Sequence, residues 1–351
     1  MNRSPGLALA LAVALLGKFL ADILGPALGL QKGAISGIMM AILLGILVGN
    51  VFRLPELAQP GIRFALVRIL RLGIVLLGIR LSVVEAGAIG LKSLPVIIGT
   101  VITALVLVTY LSRRLGLAAR LGSLIAVGTS ICGATAIVAT APIINARQDE
   151  VSYSIACITL FGVAAMLVYP FAAHWLFAAD PFRAGLFLGT AVHETAQVAG
   201  SGLVYQQYFS DPRVLDVATV TKLVRNLGML VVIPLIAILH HRRHGEQGAA
   251  VPAWYTMVPL FVLGFAAMSA LRTWGDMDAR AFGVLDPAEW KAIIGYIRST
   301  AEYCLAIAMA AVGLGTSIAD LRQIGLKPLA LGLCAALLVG TASAALITLL
   351  Y

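Results

Sequence analysis

The chain alternates long apolar runs with short polar connections, and the two-residue alternation of a half-buried strand is absent. The runs are near twenty residues, the length at which a helix rising 1.5 Å per residue crosses roughly 30 Å of hydrocarbon. They predict eleven helical spans, at residues 6–24, 34–52, 65–83, 93–112, 121–143, 152–178, 184–204, 217–239, 254–272, 292–315 and 328–350. Glycine, hydroxyl and charged residues interrupt the fifth and seventh spans, which are expected to be broken or re-entrant. The expected fold is an all-α polytopic membrane protein, with residues 1–351 forming a single integral membrane domain. Missing strand periodicity excludes a β-barrel.

Composition agrees: 60% of residues are hydrophobic and 12% charged, and the mean hydropathy is +0.98. Soluble domains carry about twice that share of charge. The formal charge of +9 does not imply nucleic acid, because basic residues in a membrane protein set orientation. Arg53, Arg63 and Arg68 follow the second span, Arg113, Arg114 and Arg120 the fourth, HHRRH (240–244) the eighth, and Arg322 and Lys327 the tenth. All fall on one side, which the positive-inside rule makes cytoplasmic together with the N-terminus. The basic, then apolar, N-terminal stretch is expected to be the first span rather than a cleaved signal. Cys132, Cys157, Cys304 and Cys334 have neither disulfide nor zinc spacing and read as packing residues, with Cys132 the one exception to consider.

Residues 76–94, LLGIRLSVVEAGAIGLKSL, align without gaps on residues 311–329, AVGLGTSIADLRQIGLKPL. Gly78 matches Gly313, Ser82 matches Ser317, Glu85 matches Asp320, and IGLK recurs. In the topology above the copies run in opposite directions, as in an inverted repeat relating segments 63–115 and 298–351. Arg80 is expected at an interface and Glu302 to pair with a cation in the core.

The candidate site lies within residues 121–228. The stretch GTSICGATAIVATAPII (128–144) offers hydroxyls from Thr129, Ser130 and Thr135, breaks at Gly128 and Gly133, and a missing amide at Pro142. Irregular backbone in hydrocarbon survives only when buried in protein or lining a wet cavity. Residues 189–202, GTAVHETAQVAGSG, carry Thr190, His193, Glu194 and Gln197; His193 and Gln197, four apart, would share a helical face. An ionisable residue at membrane depth costs roughly 3 kcal/mol and marks a functional site by default. Lys222 and Arg225, three apart, share a face of the eighth span. A broken helix presents free amides at a midplane N-terminus, which suits an oxyanion. Thr129, Ser130, Gly133, Thr135, Thr190, Gln197, Lys222 and Arg225 are thus expected to bind substrate, and His193 and Glu194 to carry a proton. Alanine at either cation would then impair transport while leaving folding intact.

GTSICGATAI followed by API, Asp149–Glu150, LFG (160–162), Tyr169–Pro170, G-x-x-x-G-T-x-x-HE-x-A-Q-V and K-L-x-R-N together resemble the sulfate exporter family of bacterial inner-membrane proteins. That family is similar to the cation/proton antiporter and anion transporter superfamily, in which two inverted repeats each contribute a discontinuous helix. The resemblance implies an elevator-type secondary transporter exporting sulfate or a related small anion from the bacterial inner membrane.

A cation/proton antiporter built on Glu194 is the alternative. An enzyme is not expected: adjacent helical side chains diverge by about 100°, and His193–Glu194 lacks the second histidine of HExxH. Neither cofactor nor metal is expected. Partners are a small inorganic or organic anion and membrane lipids; a homodimer stays open.

Overall fold

The computed structural model describes residues 3–27, 35–52, 54–177, 180–244, 252–317 and 325–351, with side chains for all of these but 240–244 and 256. Arg53, Asp320 and Arg322 lie outside the described residues, as does much of the second repeat copy. Along the chain run α1 (Ser4–Ala27), α2 (Gly37–Val51), α3 (Gln59–Phe64), α4 (Leu70–Leu77) and α5 (Val83–Arg114). A π-helical turn, Ala65–Ile69, joins α3 to α4. Then follow α6 (Ala119–Ser130), α7 (Ala134–Thr140), α8 (Gln148–Phe177), α9 (Pro181–Ala191), α10 (Thr195–Phe209), α11 (Arg213–Leu227) and α12 (Met229–His244). The last are α13 (Trp254–Met257), α14 (Leu260–Gly275), α15 (Pro287–Leu314) and α16 (Leu326–Leu350). Among the described residues six helices are long and apolar enough to cross a membrane, and the only strand-like pairing is one isolated bridge, Ala281–Leu285. The protein is a multi-pass helical membrane protein.

The chain divides into two compact units. The first gathers Met1–Leu91, Gly202–Asp216 and Pro259–Ser317. Its core joins Ala10, Val13, Ala41, Ile62, Ala310 and Leu314 from α1, α2, α3 and α15. These helices approach backbone to backbone, because lipid offers no hydrophobic drive for association and close van der Waals packing must supply it. A Cβ on Gly45 would lie 2.6 Å from the Ala310 carbonyl oxygen, and one on Gly313 would lie 2.3 Å from that of Ile42.

Arg80, expected at an interface, is enclosed by protein. Its side chain is 2% exposed and is paired with Asp216 through Nε, while Nη2 donates to the Pro212 carbonyl at 3.1 Å. Glu302 Oε1 stands 3.5 Å from Arg80 Nη1, the cation pairing expected of that acid. A guanidinium with five donors can tie several acceptors at once, which lets it stay buried.

The second unit gathers Lys92–Ser201, Val217–Val258 and Ile318–Tyr351. In it, α8 packs on α6, α7 and α9, and α16 packs on α8 and α9. Leu124, Ile125, Ile137, Ile158 and Leu331 form one core cluster; Val127, Ile131, Cys132, Met229 and Ile233 form another. Cys132 sits in that apolar cluster with its Sγ 3.4 Å from Met229 Sδ, a packing role.

A Gly313→Val substitution should destabilise the first unit by about 2 kcal/mol, because the branched side chain would overpack a backbone contact. Thermal denaturation of the purified protein checks this, with Gly87→Ala as control, since a Cβ there meets nothing within 4 Å.

Candidate functional site: two broken helices held by buried cations

Two helices of the second unit are interrupted, at 131–133 between α6 and α7 and at 192–194 between α9 and α10. Gly133 makes the first interruption, with φ +70° and ψ −129°, a conformation that L side chains rarely adopt. Its N–H reaches back to the Gly128 carbonyl at 2.9 Å, closing the end of α6. Pro142, expected to contribute to the break, lies beyond α7 in the turn that follows it. In the second interruption Val192 is extended, at φ −84° and ψ 141°. Gln197, three residues past Glu194, accepts the Glu194 N–H at 3.1 Å, half of a capping box at the start of α10. The break separates His193 from Gln197, so they do not share a helical face.

Each break leaves backbone carbonyls at a helix C-terminus without partners of their own. Arg225 supplies donors to both ends. Its Nε donates to the Ser130 carbonyl at 2.9 Å and Nη2 to that of Thr129; Nη1 donates to Thr190 at 2.7 Å and Val192 at 3.1 Å. Lys222, one helical turn earlier, donates to the carbonyls of Ile131 at 2.8 Å, Val192 at 3.1 Å and His193. Both side chains are fully buried. The sequence placed these cations correctly on one face of α11, but as substrate ligands; in the structure their donors go to the protein's own carbonyls. Three carbonyls around one nitrogen match the three N–H donors of an ammonium. Each C-terminal end carries about half a negative charge, so a cation against it is stabilising.

The other residues divide by accessibility. Ser130 Oγ donates to the Val127 carbonyl at 3.0 Å, Thr190 Oγ1 to that of Leu186 at 2.6 Å, and Thr190 also meets Ser343 Oγ at 2.6 Å. Gln197 Nε2 donates to the Thr159 carbonyl at 3.2 Å. These three bind the fold together. Thr129 Oγ1 and both ring nitrogens of His193 are buried without a partner among the described residues. Thr135 is exposed, and Glu194 and Thr195 are half-buried. The Glu194 carboxylate accepts the Ala134 N–H and the Thr159 hydroxyl, the latter at 3.4 Å, and packs so closely on Gly133 that a Cβ there would lie 2.4 Å from its Cγ. The residues read from sequence thus gather around the two breaks, with half-buried Glu194 the least enclosed of their ionisable residues.

Asn226, Thr159 and Ser343 were missed. Asn226 is nearly fully buried; its Nδ2 donates to Thr195 Oγ1 at 3.1 Å and its Oδ1 is unpartnered among the described residues. Its signal was present, since it stands beside Arg225 in K-L-x-R-N. Ser343 gave none, being one small residue in an apolar helix.

A multi-pass helical membrane protein with paired discontinuous helices is the class that fold and site define. The chain belongs to the family described as Conserved hypothetical protein 698, whose model matches residues 5–332. Similar proteins include a UPF0324 membrane protein of Fusobacterium nucleatum, 31% identical over 278 residues, which cover 78% of this chain and 79% of that one. Another, from Streptococcus agalactiae, is 31% identical over 285 residues, 81% of each chain. A third, from Bartonella henselae, is 33% identical over 301 residues, 86% of this chain and 80% of its own. No solved structure matches the chain.

Lys222→Ala should fail to fold or lose on the order of 3 kcal/mol, because it leaves buried carbonyls at both breaks without donors. Lys222→Arg should recover most of that loss. Size-exclusion profiles and thermal melts of the purified variants check both, and an alanine variant as stable as the parent would contradict the capping role.

Proposed function

We propose that this chain is a secondary transporter for a small anion, sulfate or a sulfonate-like species, coupled to a proton carried by Glu194. The observation that supports it is the charge at the two breaks. Lys222 and Arg225 supply two positive charges and Glu194 one negative, which leaves one uncompensated positive charge in a low-dielectric site. The half-helix ends add nothing net, because each break contributes one negative C-terminus and one positive N-terminus. An anion is the favoured guest. Protonating Glu194 raises the local charge by a further unit, so anion and proton bind with mutual reinforcement, which is the thermodynamic content of coupling.

On this reading the cations act through the field and by holding the breaks open, while first contact falls to the hydroxyls of Thr135 and Thr195 beside Glu194, with the unpartnered Thr129 hydroxyl and His193 ring buried behind them. Sulfate in particular, an elevator-like motion, export as direction and a cytoplasmic N-terminus in the bacterial inner membrane rest on the sequence resemblance and the distribution of basic residues. Neither catalysis nor nucleic-acid binding is part of it.

A second reading has one observation in its favour: Glu194 is only half-buried while both cations are fully buried and committed to carbonyls. That is what a cation/proton antiporter would need. The net positive charge opposes it, since a metal cation would enter beside two buried cations.

Proteoliposomes loaded with labelled sulfate or a small sulfonate separate the two. Flux should follow an imposed pH gradient, and Glu194→Gln should remove that dependence, reducing gradient-driven flux by about tenfold or more, one proton-transfer group being worth that much. Gradient-driven exchange of sodium or potassium with no anion flux would instead select the antiporter.

A further inference from the structure

The first unit holds a cavity of about 370 Å³, within the size range of small-ligand sites, in a cleft between α1 and α15 floored by α10. Leu11, Leu15, Lys18 and Asp22 line it from α1 at spacings of four, three and four, one face of a helix. That face changes character along its length. Toward the C-terminus of α1 two leucines give way to an ammonium and a carboxylate. Toward the N-terminus of α15 the lining passes from Ile307 to Tyr303 and Glu302. The cleft is therefore apolar at one end and charged at the other. Leu11 and Leu15 are 43% and 53% exposed, so the apolar end opens to hydrocarbon if α1 spans the membrane.

The charged end is specific. Gln206 Nε2 donates to Glu302 Oε1 at 3.2 Å, and since a carboxylate only accepts, this fixes the amide orientation. Gln206 Oε1 is then a buried acceptor with no donor among the described residues. Such a group costs about 1–3 kcal/mol unless something donates to it. Lys18 lies over the Tyr303 ring at 5.7 Å from its centroid, an interaction that leaves its N–H groups available.

We propose that this cleft binds a membrane phospholipid whose head group is a phosphate bearing a primary amine, the phosphoethanolamine class. The phosphate meets Lys18. The ammonium lies among Asp22, Glu302 and Gln206 Oε1 and donates to that acceptor. An acyl chain follows Leu11, Leu15 and Ile307. Each alternative head group fails on a named contact. A phosphoglycerol carries no cation to place between the Asp22 and Glu302 carboxylates, and choline has no N–H with which to satisfy Gln206. The site belongs to the first unit and is independent of the transport reading.

Full-length protein is exchanged into detergent with phosphatidylethanolamine, phosphatidylcholine and phosphatidylglycerol of identical acyl chains, and bound lipid is counted by native mass spectrometry. Phosphatidylethanolamine should be retained about tenfold over the other two, the ratio that about 1.4 kcal/mol gives. Lys18→Gln with Asp22→Asn should abolish the preference; both side chains are exposed, so elution volume and helical circular dichroism should be unchanged. Gln206→Leu should relax discrimination against choline alone. Equal retention of the three lipids by the parent protein overturns the proposal, as does an unchanged preference in the double variant. Soluble phosphoethanolamine bound as tightly as the lipid would replace the lipid by a free solute and sink it equally.

Discussion

A helix that stops inside a membrane protein exposes carbonyls in a medium with no water to receive them, and two such ends meet in the second unit. Everything else at the site depends on how those carbonyls are satisfied. Lys222 and Arg225 satisfy both ends from one face of α11, with seven donated hydrogen bonds between them. Bonds to charged donors are roughly twice as strong as neutral ones, and the opposing half charges of the helix ends lower the cost of burying the cations. The breaks and the cations therefore stabilise each other, and neither would persist in this core alone.

That arrangement determines what is left for a solute. With both cations tied to backbone, accessible polarity at the breaks comes from Glu194, Thr195 and Thr135. Gly133 is what allows Glu194 so near: its left-handed conformation ends one helix and starts the next, and its missing side chain makes room for the carboxylate. One residue thus serves both backbone and site. The first unit is held together differently, by glycine-mediated helix contact and by the Arg80–Asp216 pair.

Much of this was legible in the chain. Apolar run length gave a multi-pass helical protein. Six helices among the described residues, against eleven expected spans, have the length and hydropathy to cross a membrane. Clusters of glycine and hydroxyl residues gave both interruptions to within a few residues. The i, i+3 spacing put Lys222 and Arg225 on a common face, which the structure uses. Other parts were not legible for identifiable reasons. Pro142 is a helix breaker by chemistry, yet α7 ends before it, and of the two glycines that offered a break only Gly133 takes a positive φ. The pairing of Arg80 with Asp216 left no local trace, because the two stand 136 residues apart.

The sequence by itself determined a helical membrane protein, the places where two helices cannot continue, and which ionisable groups lie there, since these follow from hydrophobicity, backbone freedom and periodicity within one segment. Tertiary structure alone decided what those groups do. Whether a buried cation faces a guest or a helix end depends on which carbonyls arrive beside it from segments about 30 and 95 residues away. Local pattern carries no record of that meeting, because a charge in low dielectric is satisfied by whichever partner the fold brings within hydrogen-bonding distance.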